Sequence, residues 1–419
     1  SFAFLFLERG TSVEKKKTTT RDMTQGNIVK QVLLFALPLM LGNVFQMLYN
    51  TVDSVVVGQF VSTQALAAVG STTMIVNMLV FFFNVFSIGA SVVIGIHFGA
   101  KNMEKLHKAV ETTIAATFVM CVAFTVIGYV GVVPMLRLMS TPEDVFPEAT
   151  EYLHIYFAGF SGLLIYNMGS AVLRSVGDTT RPLYFLVLTS VLNIILDLVF
   201  VLVFHMGIAG VAYATILSQF ISAGLILWLL TASKDIYRLT WNDLAIDGAI
   251  MKHIFSVCLP AGIQSVITAF SNVFVQSYIN SFGSNAMAGW SAYGKIDQFM
   301  MLPMQSVALA ATTFVGQNLG ADNMKRARKG TTVALFISIA TALILMAPVI
   351  IFAPFLASLF TNEPEVLTYG IHFIRLMMPF YLAISFNQIF ANALRGAGNS
   401  VTPMVIMMGS FIVFRQIYL

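Results

Sequence analysis

Charged side chains are scarce in this chain. Only 10% of its 419 residues are Asp, Glu, Lys or Arg, whereas 58% are hydrophobic, and the mean hydropathy is +0.83. A soluble domain carries roughly 25% charged residues, so this composition excludes a soluble protein. Because lipid leaves no water to satisfy a free backbone, we predict an all-α polytopic membrane protein.

Cysteines and catalytic motifs are scarce as well. The two cysteines, Cys121 and Cys258, stand alone in apolar stretches, which excludes a disulfide framework and a CxxC metal site. The chain has no P-loop, nucleophile elbow or HExxH motif, so ATP-driven pumping and the commoner hydrolases are disfavoured. We therefore expect no enzyme, no cofactor and no bound metal other than a coupling ion. The net charge of +4 comes from short basic clusters between apolar segments, which are topology signals and do not indicate nucleic-acid binding.

Apolar runs of about 20 residues predict eleven membrane-spanning helices. They lie near 28–52, 62–97, 107–133, 148–173, 182–204, 207–231, 252–279, 285–318, 329–356, 366–393 and 402–419. The second and eighth are long enough to be tilted or bent, and Gly89 and Pro303 are possible break points.

Lysine and arginine concentrate in alternate loops, which predicts the orientation. One set of loops holds basic residues, among them Lys101, Lys105, Arg174, Arg238, Lys325 and Arg395. The opposite set holds acidic residues such as Glu143 and Glu363. The first set lies on the same side as the basic segment 1–27. We therefore expect a multi-pass membrane protein with a cytoplasmic amino terminus.

The chain repeats itself at a shift of 221 residues. Residues 95–108 match residues 316–329 at six of fourteen positions, including the Gly-Ala-x-Asn-Met core that begins at Gly99 and at Gly320. We predict two parallel bundles, 28–231 and 250–419, joined by a cytoplasmic linker at 232–249. Halves related by an axis along the membrane normal are typical of alternating-access transporters with substrate between the halves. At this shift Leu419 corresponds to Leu198, so nothing in the sequence corresponds to the sixth span. We therefore expect six helices in the first bundle and five in the second.

Acidic residues within the predicted spans are the first candidates for function. They are Asp53, Asp197 and Asp297, and Asn193 lies one helical turn before Asp197. A carboxylate at the middle of a membrane helix costs roughly 2.5–3.5 kcal/mol, so each is expected to face a cavity or a partner. Two alternatives remain for Asp53 and Asp197: a carboxylate satisfied by neighbouring hydroxyls and amides, or an ion-coupling site.

Polar groups elsewhere in the spans are candidates for the substrate cavity, although most intramembrane amides only join helices. The candidates are Asn167, Gln264, Asn272, Gln276, Asp297, Asn387 and Arg415. Arg415 is a possible counter-ion for Asp297, since an arginine at this depth needs an anion, carbonyl groups or water.

The motifs of the chain resemble those of the multidrug and toxic compound extrusion (MATE) family, in its bacterial DinF/MepA-like branch. The resemblance rests on Ala36-Leu37-Pro38, Val52-Asp53-Ser54, Gly99-Ala100-Lys101-Asn102, the segment 174–182, Asn193-Ile194-Ile195-Leu196-Asp197 and the segment 210–215. It implies twelve helices in two six-helix bundles that export small amphipathic cations in exchange for protons or sodium. On the family pattern, Asp53, Asn193, Asp197 and Thr215 match the cation site of the amino-terminal bundle, and we expect a monomer.

The chain departs from the NorM-like members, which carry carboxylates in their seventh and tenth helices. Here those spans hold amides, among them Gln264 and Asn387. This difference favours coupling through the amino-terminal bundle. It leaves open whether the coupling ion is a proton or sodium. Two other functions compete: a flippase for lipid-linked saccharides, which would favour a more basic cavity, and an integral membrane enzyme, for which no catalytic cluster is evident.

Overall fold

The computed structural model describes residues 20–233 and 235–414, and these residues are almost entirely helical. The helices are α1 (Ile28–Phe60), α2 (Thr63–Gly99), α3 (Met103–Leu138), α4 (Phe146–Ala158), α5 (Phe160–Ser175), α6 (Thr180–Leu198), α7 (Gly207–Ala232), α8 (Gly248–Asn280), α9 (Ser284–Gly320), α10 (Met324–Ile351), α11 (Ala353–Ser358), α12 (Pro364–Met377), α13 (Tyr381–Gly396) and α14 (Val401–Met408). We call α1–α7 the amino-terminal half and α8–α14 the carboxyl-terminal half.

Each predicted span coincides with one helix or with a pair of consecutive helices. Among the described residues, nine helices are long and apolar enough to cross a membrane, and the bent pair α4–α5 would be a tenth. Val401–Ile412 forms a shorter apolar helix within the last predicted span, which the structure describes only as far as residue 414.

The breaks fall at places that the sequence did not indicate. Helices α2 and α9 continue without interruption through Gly89 and Pro303, so the expected break points were wrong. Gly89 instead allows close packing, since a Cβ there would lie 2.7 Å from the backbone oxygen of Ile254 on α8. A real break occurs at Gly159, where α4 and α5 meet at 48°.

The repeated Gly-Ala-x-Asn motif begins the third helix of each half in the same way. The side chain of Asn102 accepts a hydrogen bond from the backbone N–H of Lys105 at 3.1 Å, and the side chain of Asn323 accepts one from the backbone N–H of Arg326 at 3.0 Å. Asparagine is among the best residues for capping exposed N–H groups at a helix start. The repeat in the sequence therefore encodes the same local structure twice.

The glycines of this motif bring the two halves into direct contact. A Cβ on Gly99 would lie 1.9 Å from the backbone oxygen of Gln317, and a Cβ on Gly320 would lie 2.0 Å from the backbone oxygen of Ile96. Small residues let helix backbones approach closely in membranes. The carboxyl-terminal ends of α2 and α9 therefore cross at a point where any side chain larger than hydrogen would push them apart.

Two apolar clusters extend this contact between the halves. In one, Ile254 and Cys258 of α8 pack with Ile94 of α2. In the other, Phe35 of α1 packs with Phe314 of α9. Both clusters lie near the loops that carry Lys101 and Lys325, which we call the basic-loop side, so the halves are joined on that side.

Residues 20–27 form a short strap across the same region. Met23 is fully buried, and its backbone N–H donates to Oε1 of Gln317 at 2.9 Å. The amide nitrogen of Gln317 in turn donates to the backbone oxygen of Ser175 in the amino-terminal half at 2.8 Å. Gln317 therefore links the strap and both halves through one buried side chain.

We expect Gly99→Ala and Gly320→Ala to lower the midpoint of thermal unfolding of the purified protein. The added methyl group overlaps a backbone oxygen, and overpacking of this kind costs about 1–3 kcal/mol. Gly224→Ala is the matched control, because a Cβ there would have no neighbour within 4 Å. Equal midpoints for Gly99→Ala and Gly224→Ala would contradict the close crossing of α2 and α9.

Candidate functional site

Two helices of the amino-terminal half carry buried polar stripes that face each other. On α6 the stripe contains Thr189, Asn193 and Asp197, and on α7 it contains Thr215 and Ser222; all five are buried. The residues are four apart on α6 and seven apart on α7, which places them on one face of each helix. The hydroxyl of Ser222 donates to the hydroxyl of Thr189 at 2.7 Å, so the two stripes meet.

Asp197 meets the other predicted carboxylate within this region. The carboxyl groups of Asp53 on α1 and Asp197 on α6 lie close enough to interact with each other electrostatically. Asp197 is fully buried and Asp53 is partly buried. Two ionised carboxylates are acceptors only, so this pair can form a hydrogen bond only when one of its members carries a proton.

The polar atoms around the pair have few protein partners. Both carboxylate oxygens of Asp197, both side-chain polar atoms of Asn193 and the hydroxyl of Thr215 are buried without a hydrogen bond to any described residue. Buried polar groups are normally paired, and those that lack a protein partner are candidates for contact with water, an ion or a ligand. Together with the two carboxyl groups, they are candidate ligands for a proton or a cation.

The chemistry of these groups suits a small hard cation or a proton. Carboxylate, amide and hydroxyl oxygens are the donors that hard cations prefer. Asp53, Asn193, Asp197 and Thr215 could supply these oxygens to a sodium ion, and either carboxyl group could carry a proton. Within the described ranges, no cluster of three or more His, Cys, Asp or Glu side chains could hold a metal ion.

Tyrosines surround the carboxylate pair, and the sequence analysis missed them. Tyr49 and Tyr152 lie close enough to Asp53 to interact electrostatically, and the Tyr156 hydroxyl adjoins the Gln219 side chain. Tyr49 precedes Asp53 by four residues and Gln219 follows Thr215 by four, so the helical period was an available signal. Tyrosine adds an apolar ring and a hydrogen-bonding hydroxyl to the site.

The third predicted carboxylate, Asp297, belongs to a separate site in the carboxyl-terminal half. Its Oδ1 accepts hydrogen bonds from the hydroxyl of Tyr293, at 3.3 Å, and from the hydroxyl of Tyr381. Asp297 also lines a cavity of about 760 Å³ together with Trp290 and Met301. Its expected counter-ion, Arg415, lies outside the described residues.

The remaining cavity candidates are dispersed. Gln276 lines the same cavity as Asp297, whereas Gln264 is buried and accepts a hydrogen bond from the guanidinium of Arg395 at 2.7 Å. The amide of Asn167 donates a hydrogen bond to the backbone of its own helix. Asn272 and Asn387 are exposed, and the amide of Asn387 lies beside the sulfur of Met407. The structure thus brings Gln276 and Asp297 together and places Gln264 in a contact between helices.

Long apolar helices, a duplicated bundle and a buried carboxylate pair define a multi-pass membrane transporter. The sequence profile of the MatE family matches residues 38–199 and 260–418. The chain therefore belongs to the MatE family, and it is a bacterial multi-pass membrane transporter of the MATE type.

Known proteins similar to this chain agree with that assignment. A probable multidrug resistance protein of Bacillus subtilis, YpnP, is 30% identical over 94% of this chain and 88% of its own length. A FAD transporter of Shewanella oneidensis is 24% identical over 90% of this chain and 84% of its own length. Among solved structures, an outward-facing multidrug resistance MATE transporter of the MOP superfamily has a TM-score of 0.87 and 25% identity, covering 95% of this chain and 89% of that one.

Proposed function

We propose that this protein exports small amphipathic organic cations and that a proton or sodium ion bound at Asp53 and Asp197 drives the export. The observation that carries this proposal is the facing pair of carboxyl groups, buried among polar atoms without protein partners. The names of similar proteins, such as the probable multidrug resistance protein of Bacillus subtilis, support the efflux of drug-like molecules. We further propose a monomer in the bacterial plasma membrane with its amino terminus in the cytoplasm.

The pair couples because its two members cannot both remain charged at low cost. Two like charges about 4 Å apart repel by roughly 4 kcal/mol at an effective dielectric constant of about 20. One proton or one cation relieves that repulsion, so the two carboxyl groups titrate as a unit and bind a single positive charge. Binding pulls α1 and α6 together, and release allows them to separate.

The membrane gradient supplies enough energy for this exchange. One charge that moves through 100 mV is worth about 2.3 kcal/mol, which corresponds to roughly 50-fold accumulation of a neutral solute. Exchange of one monovalent cationic substrate for one proton moves no net charge. In that case the pH difference across the membrane, and not the voltage, drives export.

The place where the halves are joined supports alternating access as part of this proposal. The close crossing at Gly99 and Gly320 closes the basic-loop side. A similar solved transporter is in an outward-facing conformation. Access from the basic-loop side requires that crossing and the bonds of Gln317 to separate. Helix α1 packs against α6 and also against α9 of the other half, so movement at the carboxylate pair can reach the crossing.

The cavity around Asp297 is our candidate for binding the substrate. Its volume of about 760 Å³ falls within the range of small-molecule sites. Trp290 offers a ring face to a cation and Met301 offers an adaptable apolar contact. Asp297 supplies a negative charge that is partly buried, while Lys295, which lines the same cavity, is exposed.

We expect Asp53→Asn and Asp197→Asn to abolish gradient-driven efflux, because an amide cannot exchange a proton and holds sodium poorly. The measurement uses the protein in sealed vesicles, with a proton gradient and a sodium gradient imposed separately on a fluorescent organic cation. Asp243→Asn, an exposed carboxylate of the loop before α8, is the matched control and should transport normally. Normal efflux by both Asp53→Asn and Asp197→Asn under either gradient would make the pair structural.

We expect Asp297→Asn to weaken the binding of a monovalent organic cation by about tenfold, since a partly desolvated charge pair is worth roughly 1.4 kcal/mol or more. Lys295→Gln, which removes the opposite charge from the same cavity, should leave that binding unchanged or improve it. The measurement is fluorescence titration of the purified protein with ethidium and, separately, with the dianion fluorescein. Stronger binding of fluorescein than of ethidium, with loss in Lys295→Gln, would assign the cavity to anionic substrates.

A further inference from the structure

A second cavity lies on the basic-loop side, between the starts of α1 and α10. Its volume is about 590 Å³, and Lys325, Arg326 and Lys329 line it. None of its lining residues is acidic. No described residue forms an ion pair with Lys325 or Lys329, and both side chains are exposed. Three positive charges therefore line one cavity, and none of them forms an ion pair within the described part of the chain.

The internal repeat makes this concentration of charge specific to the carboxyl-terminal half. At the shift of 221 residues, Lys325 corresponds to Glu104 and Lys329 corresponds to Lys108. In the amino-terminal half, the ammonium of Lys108 lies 2.7 Å from the carboxylate of Glu104. The lysine at position 325 leaves Lys329 without an equivalent of that ion pair, so the start of α10 carries more positive charge than the start of α3.

Arg326 fixes the geometry of the cavity without losing its charge. Its guanidinium donates to the backbone oxygens of Met23 at 3.2 Å, Gln25 at 2.9 Å and Gly26 at 2.9 Å. These acceptors are neutral, so the positive charge is held in place beside the strap and is not cancelled. It also lies 5.4 Å above the ring of Phe314.

The opposite wall of the cavity is apolar. Ile28, Val29 and Val333 line it, and Val29 is 45% exposed. These residues belong to the first turns of α1 and to the third turn of α10, where both helices begin their apolar stretches. The basic residues of the cavity lie in the first two turns of α10, and Val333 lies about one turn further into that helix. The cavity therefore combines basic groups with an apolar wall.

We propose that this cavity binds an anionic phospholipid, with its phosphate between Lys325 and Lys329 and the start of an acyl chain against Ile28, Val29 and Val333. Basic pockets between membrane helices at the cytoplasmic face are suited to such headgroups. A free phosphate ion would satisfy the lysines but would leave the apolar wall uncovered. A zwitterionic lipid would bring its own positive group to a cavity that already holds three.

The test is native mass spectrometry of the full chain in micelles that contain equal amounts of phosphatidylglycerol and phosphatidylcholine. We expect wild-type protein to retain phosphatidylglycerol preferentially. Each lysine near a membrane surface contributes about fivefold to the affinity for anionic lipid, so Lys329→Gln should reduce retention by about that factor. Lys325→Glu should reduce it further, because the new carboxylate can pair with Lys329 as Glu104 pairs with Lys108.

Lys105→Gln is the matched control, since Lys105 occupies the position of Arg326 in the other half and should leave retention unchanged. Thermal unfolding of each variant verifies that it folds. Equal retention of phosphatidylglycerol by wild-type protein and Lys325→Glu would overturn the proposal. Equal retention of phosphatidylglycerol and phosphatidylcholine by wild-type protein would overturn it as well. Thermal stabilisation by inorganic phosphate without retained lipid would also overturn it, in favour of a site for soluble phosphate.

Discussion

The juxtaposition of Asp53 and Asp197 is the constraint on which the account of this transporter depends. Each carboxylate lies in an apolar helix, where a single charge already costs roughly 2.5–3.5 kcal/mol, and the two face each other. The described residues around them provide polar oxygens and the unpartnered amide of Asn193. No described basic side chain forms an ion pair with Asp53 or Asp197. The site therefore favours uptake of one positive charge, and this requirement can link ion binding to the position of α1.

Helix α1 is well placed to transmit such a change. Gly42 of α1 packs close to Leu183 and Leu186 of α6. On another side, Phe35 of α1 packs against Phe314 of α9. One helix thus contacts the proposed ion site on one side and the other half of the protein on the other. The contact with α9 lies near the crossing that closes the basic-loop side, so the ion site and the closure share a structural element.

The two halves share their architecture and differ in their chemistry. Gly177 and Gly398, at equivalent positions, both adopt the positive φ angles of 86° and 80° that favour glycine. By contrast, the positions equivalent to Asn193 and Asp197 are Phe414 and Tyr418, so the repeat has kept the turns and lost the carboxylate site. The carboxyl-terminal half instead has Asp297 beside two tyrosines and an adjoining cavity. Division of ion binding and substrate binding between the halves is consistent with this asymmetry.

The helices and the two carboxylates as single candidates could be predicted from the sequence because each depends on local pattern, whereas their placement in one site was expected only from the resemblance to the MATE family. Apolar runs of membrane length define spans, and a carboxylate such as Asp197 is conspicuous within one. Tyr49 lies one helical turn before Asp53, whereas Tyr152 could not be distinguished from other aromatic residues of apolar helices, since its role comes from packing between helices. The same reason hid Tyr381, which lies 84 positions from its partner Asp297. The bend at Gly159 depends on the close approach of Ile216 from α7, a contact that local sequence does not encode.

Ion release on substrate binding tests the central claim most directly. The measurement is calorimetric titration of the purified protein with an organic cation in buffers of different ionisation enthalpy, with and without sodium. We predict that wild-type protein releases about one proton, or exchanges about one sodium ion, for each substrate bound, since the carboxyl pair holds a single charge. We predict no release from Asp197→Asn. Substrate binding by wild-type protein without any release of protons or sodium would contradict the account.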